Sequence, residues 1–322
     1  MWHRQQSYYR ASPLIELSEL AARLGFDRIW LKDERARWGT NSFKILGASW
    51  ALHNALASSR NTGRPTPDTV FAATDGNHGR AVALLARRYG LRAEIFVPSG
   101  TADDRVRAIE TEGARVRVID GGYDDAVALA ATTADDVEQG LLISDTARHV
   151  DDQTPEWAIQ GYGTLYQEVE QLLPAGSIEA PDLLLVQIGV GGLAAAAVRH
   201  FRTGRREPFV VGVEPTTAAC AAASIRAGGI TTIDDAFTSV MAGLNAATPS
   251  VAAWTDLKYG VDAYLTIDDH WCDVATAELT RSGCPPGPTG AAGLAGLLAL
   301  RALGDGQGLA ARRPLLVLSE GP

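Results

Sequence analysis

Lysine is the scarcest charged residue of this 322-residue chain: Lys32, Lys44 and Lys258 stand among 29 basic residues, and the other 26 are arginine. A lysine inside a distinctive motif therefore carries unusual information. Cysteine is as rare, and the three, Cys220, Cys272 and Cys284, show no paired spacing. That excludes a disulfide framework and a four-cysteine metal site, and it points to a reducing cytoplasm. Basic charge is in deficit, 29 against 38 acidic residues for a net of −9, and no segment gathers Lys and Arg on one face. A nucleic-acid partner is thereby excluded, because phosphate neutralisation needs a basic surface. The opening MWHRQQSYYR has no apolar stretch of the signal-peptide kind. The uncharged stretch 183–198 is 16 residues long with three glycines in its middle, too short and too broken to span a bilayer, so no membrane is expected. Internal repeats of solenoid length, low-complexity tracts and blocks of like charge are also missing. What remains is ordinary globular composition, 46% hydrophobic and 21% charged, long enough for two domains or one large domain with a lobe.

Short apolar runs alternate with Ala- and Leu-rich stretches from about residue 69 onward. Val70–Ala73, Glu94–Val97, Val116–Ile119, Leu141–Ser144, Leu183–Ile188, Phe209–Val213 and Leu315–Leu318 read as strands buried on both faces. Such strands belong to parallel sheets covered by helices. Helical patterns fill 44–57, 78–89, 101–112, 124–138, 155–172, 193–202, 217–227, 271–281 and 290–303, so the class is α/β with open sheets. Residues 58–68 and 174–182, rich in Pro, Gly and polar side chains, read as breaks between segments.

Three segments carry chemistry. In Gly39-Thr40-Asn41-Ser42-Phe43-Lys44, Ser42 is a credible N-cap that puts Lys44 in the first turn of a helix. A cation there opposes the helix dipole, which biases the amine toward its neutral, nucleophilic form, as Schiff-base chemistry requires. Gln187-Ile188-Gly189-Val190-Gly191-Gly192-Leu193 follows a buried strand and opens a helix. Its backbone N–H groups can meet one anion without Cβ obstruction, and the spacing favours a monophosphate over a dinucleotide or a nucleoside triphosphate. Ala73-Thr74-Asp75-Gly76-Asn77-His78-Gly79-Arg80 is again a strand end turning into a helix, where open α/β sheets place ligands. His270, Cys272, Asp268 and Asp269 lack metal-ligand spacing and read as an exposed helix start, so no metal site is expected. His149, close to Asp145, either borders the same pocket or is structural.

Together the three segments resemble the fold-type II pyridoxal-phosphate enzymes, in order and spacing and over nearly the whole chain: S-F-K, then G-N-H-G, then a glycine loop, then Ser319-Glu320-Gly321. The resemblance implies two lobes, each an open, mostly parallel sheet flanked by helices, with the pyridoxal 5'-phosphate site between them. Residues 1–44 with 161–322 would form a large cofactor-binding domain and 45–160 a small one. Lys44 would bond the cofactor's aldehyde, Asn77 its 3'-oxygen, and Gly189, Val190, Gly191, Gly192 and Leu193 its phosphate. Ser319 would face the pyridine nitrogen, and a hydroxyl there leaves that nitrogen weakly protonated, which favours prompt β-elimination. Within the family the chain is similar to the diaminopropionate ammonia-lyases. The matching runs are Gly39 to Gly47, A-T-D-G-N-H-G-R, Asp145-Thr146-Ala147, Trp157 to Tyr162, and Met241 to Asn245 with Pro249 and Trp254. Dehydratases carry a hydroxyl residue where this chain has Asp75. The chain departs from that branch in Cys284-Pro285-Pro286-Gly287-Pro288-Thr289 and in the residues after Glu320.

The expected activity is elimination of ammonia from 2,3-diaminopropionate, or a close β-substituted alanine, to give pyruvate and ammonia. Lys44, Asp75 and Asp145 are the candidate catalytic residues: two carboxylates hold the β-ammonium and manage its proton, and Asp75 can serve the D-isomer if it faces away from Lys44. A β-replacement synthase and a serine or threonine dehydratase are alternatives on the same scaffold, and a non-catalytic binding protein is the alternative of another class. The expected partner is a small amino acid, and the expected assembly a homodimer.

Overall fold

In the computed structural model, residues 2–63, 65–74, 76–147, 149–173, 180–204, 207–234, 238–304 and 312–322 are described. They divide into two units, one of Met1–Phe43 with Gly163–Pro322 and one of Lys44–Tyr162. The chain begins in the first unit with β1 (Leu14–Glu16), α1 (Ser18–Leu24) and β2 (Trp30–Asp33). It crosses into the second with α2 (Lys44–Thr62), β3 (Thr69–Ala73), α3 (Asn77–Tyr89), β4 (Arg92–Pro98), α4 (Asp103–Thr111), β5 (Arg115–Ile119), α5 (Tyr123–Asp135) and β6 (Gly140–Leu142), and α6 (Gln153–Leu172) begins in the second unit and ends in the first. The first unit then resumes with β7 (Leu183–Gln187), α7 (Gly192–Phe201), β8 (Phe209–Pro215), α8 (Cys220–Ala227) and α9 (Val251–Gly260). It ends with β9 (Ala263–Ile267), α10 (Asp269–Arg281), α11 (Pro288–Ala302) and β10 (Pro314–Leu318).

Both units are α/β, each with one open sheet. In the second unit the order is β5-β4-β3-β6, all parallel. Every residue of β3 is buried, as a central parallel strand with helices on both faces requires. In the first unit the order is β1-β2-β10-β7-β8-β9, parallel except for β1. Its core joins Leu31, Leu185, Val213 and Leu316 of the sheet to Leu294, Ala295 and Leu298 of α11. The smaller core of the second unit packs Phe71 and Phe96 against Ala126, Val127 and Ala130 of α5.

Apolar runs announced the central strands, and the edges differ from the sequence expectation. β2 escapes an apolar-run reading because Lys32 and Asp33 sit in it, and β9, at the sheet edge, because it is short, only half-buried over most of its length and interrupted by the exposed Thr266. The stretch 58–68 is not all loop: α2 continues through Thr62, its last turn polar because it is exposed. The expected strand 141–144 ends at Leu142, and the chain then leaves the sheet edge as the loop that carries Asp145.

Candidate active site

Lys44 is the first residue of α2, and its Nζ donates to Asp145 Oδ2 at 2.5 Å, closing a sequence gap of 101 residues. Asp145 lies in the loop after β6 and is almost wholly buried. Three groups of the same unit surround its carboxylate: Lys44, the Tyr123 hydroxyl, which donates to Oδ1 at 3.2 Å, and His78 Nδ1 at 3.9 Å from Oδ2. The His78 Nε2 stands 2.8 Å from the Ile143 carbonyl oxygen, which can only accept, so Nε2 carries a proton. That bond ties α3 to the residue two before Asp145 and fixes where the loop leaves the sheet. Burial pushes the Asp145 carboxyl up, but Lys44, His78 and the hydrogen bonds from Lys44 and Tyr123 outweigh it and hold the group well below the usual carboxylate range. Asp145 is therefore an anion across the neutral range, sited to hold a primary ammonium.

The start of α2 differs from the expected cap. Ser42 does not cap the helix: its Oγ is buried without a hydrogen-bond partner. Its backbone is instead bridged to Glu320, with Phe43 N–H donating to the Ser319 carbonyl at 3.1 Å and Gly321 N–H to the Asn41 carbonyl at 2.8 Å. This pairing with Glu320 stands where the cap was expected. Farther along α2, a Cβ at Gly47 would lie 2.4 Å from Tyr162 Cε1, so this helix accepts only hydrogen where it meets α6. Burial, and Asp145 against Lys44, push the Tyr162 hydroxyl well above its usual range.

Asn77 opens α3, with Gly76 rather than Asn77 at the N-cap position. Asp75 lies outside the described residues. His149 is exposed, its backbone N–H bonded to Asp152 Oδ2 at 3.0 Å, and the structure gives it no contact with Asp145.

The glycine loop is in the other unit. Gly191 has φ +98°, a conformation that L side chains avoid, and a Cβ on it would lie 2.6 Å from Leu257 Cδ1. Gly192 and Leu193 then start α7, whose opening N–H groups have no intrahelical acceptors. A loop bare of side chains at a helix N-terminus fits a phosphate. At the end of β10, Ser319 is buried, and its Oγ accepts a hydrogen bond of 2.8 Å from Gln187 Nε2. The Gln187 Oε1 is buried with no partner, an omission that ordinarily costs about 1–3 kcal/mol. Unit by unit, the residues have the chemistry that pyridoxal phosphate needs: an amine held on a carboxylate in the second, and a glycine loop before a helix and a buried hydroxyl in the first. His78, Tyr123 and Gln187 had no role assigned from sequence. His78 and Gln187 lie inside the two motifs and could have been found there, whereas nothing local marks Tyr123.

Residues 6–319 match the family described as pyridoxal-phosphate dependent enzyme. The chain belongs to that family. Among curated relatives it is 33% identical over 288 residues to the diaminopropionate ammonia-lyase of Salmonella typhimurium, covering 83% of this chain and 71% of the relative. It is 31% identical over 219 residues to the biosynthetic L-threonine dehydratase of Haemophilus influenzae, covering 68% of this chain and 39% of that one. Among solved structures it is similar to Escherichia coli diaminopropionate ammonia lyase in complex with an aminoacrylate-PLP azomethine reaction intermediate. There the TM-score is 0.89 at 31% identity, over 99% of this chain and 86% of that one. The same enzyme in complex with D-serine gives 0.90 at 30%, over 99% and 86%. No described helix is long and apolar enough to cross a membrane.

Proposed function

We propose that the chain is a pyridoxal-phosphate-dependent ammonia-lyase that converts 2,3-diaminopropionate to pyruvate and ammonia. The observation that carries the reading is the 2.5 Å pair between Asp145 and Lys44. With its amine free, the lysine lays a primary ammonium on this carboxylate. A 2,3-diaminopropionate molecule brings a second primary ammonium on its β-carbon, and serine and threonine bring none. The diaminopropionate ammonia-lyase relatives, matched over more of their length than the threonine dehydratase, support the same choice.

When bound, pyridoxal phosphate supplies an aldehyde that bonds amino groups and a ring that accepts an electron pair. The chain's own part is as follows. Lys44 would hold the cofactor at its aldehyde, and with its Nζ free it would take the proton from Cα of the L-isomer. Asp145 then holds the β-ammonium. Because the carboxylate favours the charged form, the nitrogen stays protonated and departs as neutral ammonia instead of the far poorer amide ion. Tyr123 and His78 keep the carboxylate ionised and in place. Asn77 would hold the 3'-oxygen, Gly189, Val190, Gly191, Gly192 and Leu193 the phosphate, and Ser319 the ring nitrogen. Asp75 serves as the base for the D-isomer. Three cysteines, all free and buried, suit a reducing cytoplasm, and a homodimer is the assembly proposed with this function.

The test is a panel of D- and L-diaminopropionate, serine and threonine, read by release of pyruvate or 2-ketobutyrate. Pyruvate should form from diaminopropionate faster than from serine. Faster elimination from serine overturns the reading in favour of a dehydratase, and consumption of a second substrate without pyruvate favours a β-replacing enzyme.

A further inference from the structure

Gln187 ends β7 just before the glycine loop, and its buried amide has one orientation open to it. Nε2 lies 3.0 Å from the Val317 carbonyl oxygen and 3.3 Å from that of Thr289. Carbonyl oxygens only accept, so the amide nitrogen, not the amide oxygen, must face them. The same Nε2 stands 2.8 Å from Ser319 Oγ, and in this contact Gln187 therefore donates and Ser319 accepts. Oε1 is buried and has no partner. A buried amide that leaves its oxygen bare while its nitrogen serves three acceptors is oriented by the need for a donor there.

Serine has a single hydrogen to give. Gln187 holds an acceptor side of Ser319 Oγ, so the hydroxyl hydrogen points away from that amide nitrogen, which has only hydrogens to offer. At 1% exposure, Ser319 has no bulk water to turn toward. We infer that Gln187 is a positioning residue that fixes the Ser319 hydroxyl as a hydrogen-bond donor to the ring nitrogen of pyridoxal phosphate, so that this nitrogen is held without a proton. The inference rests on the assignment of Ser319 to the ring nitrogen in the proposed function. An unprotonated ring draws electrons weakly, so the electron pair left at Cα is spent on expelling the β-substituent instead of waiting for a proton to return.

The experiment uses enzyme loaded with pyridoxal phosphate labelled with ¹⁵N in the ring and reads the nitrogen resonance. A second readout is the ratio of solvent deuterium gained at Cα by recovered substrate to pyruvate formed. Wild type should show the unprotonated resonance. Gln187→Met, of similar shape but without a donor, should move it toward the protonated position and raise the deuterium-to-pyruvate ratio at least threefold. Ser319→Ala should displace the resonance by loss of the hydrogen bond, and Ser319→Thr, which keeps the hydroxyl, should restore the wild-type position. Should the methionine variant fail to fold, Gln187→Asn keeps an amide for the carbonyls but falls one methylene short of Ser319, and the same shift is expected. A wild-type nitrogen already protonated overturns the inference. So does a resonance that Ser319→Ala displaces and the Gln187 variant leaves in place, which would preserve the role of Ser319 itself. A resonance that neither variant moves overturns the assignment of Ser319, and the inference with it.

Discussion

At the scale of the residue, the proposed chemistry rests on Asp145 and Lys44. Each is unusual alone: a carboxylate buried to 6% exposure, and a lysine at the positive end of a helix. Together they neutralise one another and leave a site that recognises an ammonium. Lys44→Ala should abolish the yellow colour of the loaded protein and any borohydride-reducible adduct, since Lys32 is committed to a buried ion pair and Lys258 donates to the Gly228 carbonyl. An adduct mapped to either of these lysines would displace Lys44 from its role. Asp145→Asn keeps the shape and removes the charge. Loss of one charge-assisted contact is worth about 1.5–3 kcal/mol, so diaminopropionate turnover should fall by about 10- to 10²-fold. Any slow turnover of serine should change much less, because serine has no ammonium to place there. Equal losses on both substrates would make Asp145 a structural partner of Lys44 and not a selector of substrate.

Elements add what single residues lack. The proposed phosphate site depends on where α7 begins, and Gly191, with its positive φ, stands at the N-cap position of that helix. Gly191→Asp should weaken cofactor binding by a few kcal/mol, about 10² or more in Kd, measured by titration of the apoenzyme. Gly191→Ala bears the same backbone strain without the charge, so the excess loss in the aspartate variant reports the phosphate. A second test lies at the end of β8, where Glu214 Oε1 and Oε2 accept the N–H groups of Ala221 and Ala222 at 2.7 and 2.9 Å as α8 begins. Burial pushes the Glu214 carboxyl up to about 7, and the two backbone bonds only partly offset it. A carboxyl whose pKa is higher folded than unfolded contributes stability below its unfolded value and loses it as pH rises through the folded one. The loss therefore runs from about pH 4.5 to 7, on the order of 3 kcal/mol in full. Thermal melting of Glu214→Gln should show a flatter profile over that window than wild type.

For the molecule as a whole, the long-range ties of the Met1–Phe43 and Gly163–Pro322 unit are ionic as well as apolar. Glu168 of α6 receives Lys32 Nζ and Arg37 Nη2, both at 2.7 Å, and Tyr9 donates to it at 2.8 Å. Burial pushes the Glu168 carboxyl up, and the two cations outweigh it and hold it low. One carboxylate thus joins the N-terminal segment, β2 and a helix more than 130 positions away. Removing it leaves two buried cations, Lys32 and Arg37, to share one carboxylate, that of Glu34, 3.9 and 2.7 Å from them, so Glu168→Ala should destabilise the protein by about 3–5 kcal/mol in a urea titration. A loss below about 1 kcal/mol would mean that water reaches the cluster.

The sequence by itself determined the α/β class, the central strands and the three motifs, because each is written in local order. A buried parallel strand is a short apolar run, and a loop that admits an anion is a cluster of glycines before a helix. The motifs that hold Lys44, Asn77, Ser319 and the glycine loop stand out in the sequence for that reason, and Asp75 and Asp145 are named from it as candidate acids. Only the tertiary structure decided what each side chain touches. The partner of Asp145 lies 101 residues away, that of Gln187 lies 132 away, and that of Lys32 lies 136 away. Sheet order β1-β2-β10-β7-β8-β9 places β10 between two strands remote from it in sequence, and no hydrophobic period encodes that order. The expected cap at Ser42 failed on the same ground: a local rule predicted a side-chain cap, and the segment instead pairs its backbone with Glu320, 278 positions on. Periodicity reports which face of an element is buried, whereas hydrogen bonds, charges and pKa values depend on which element is buried against it.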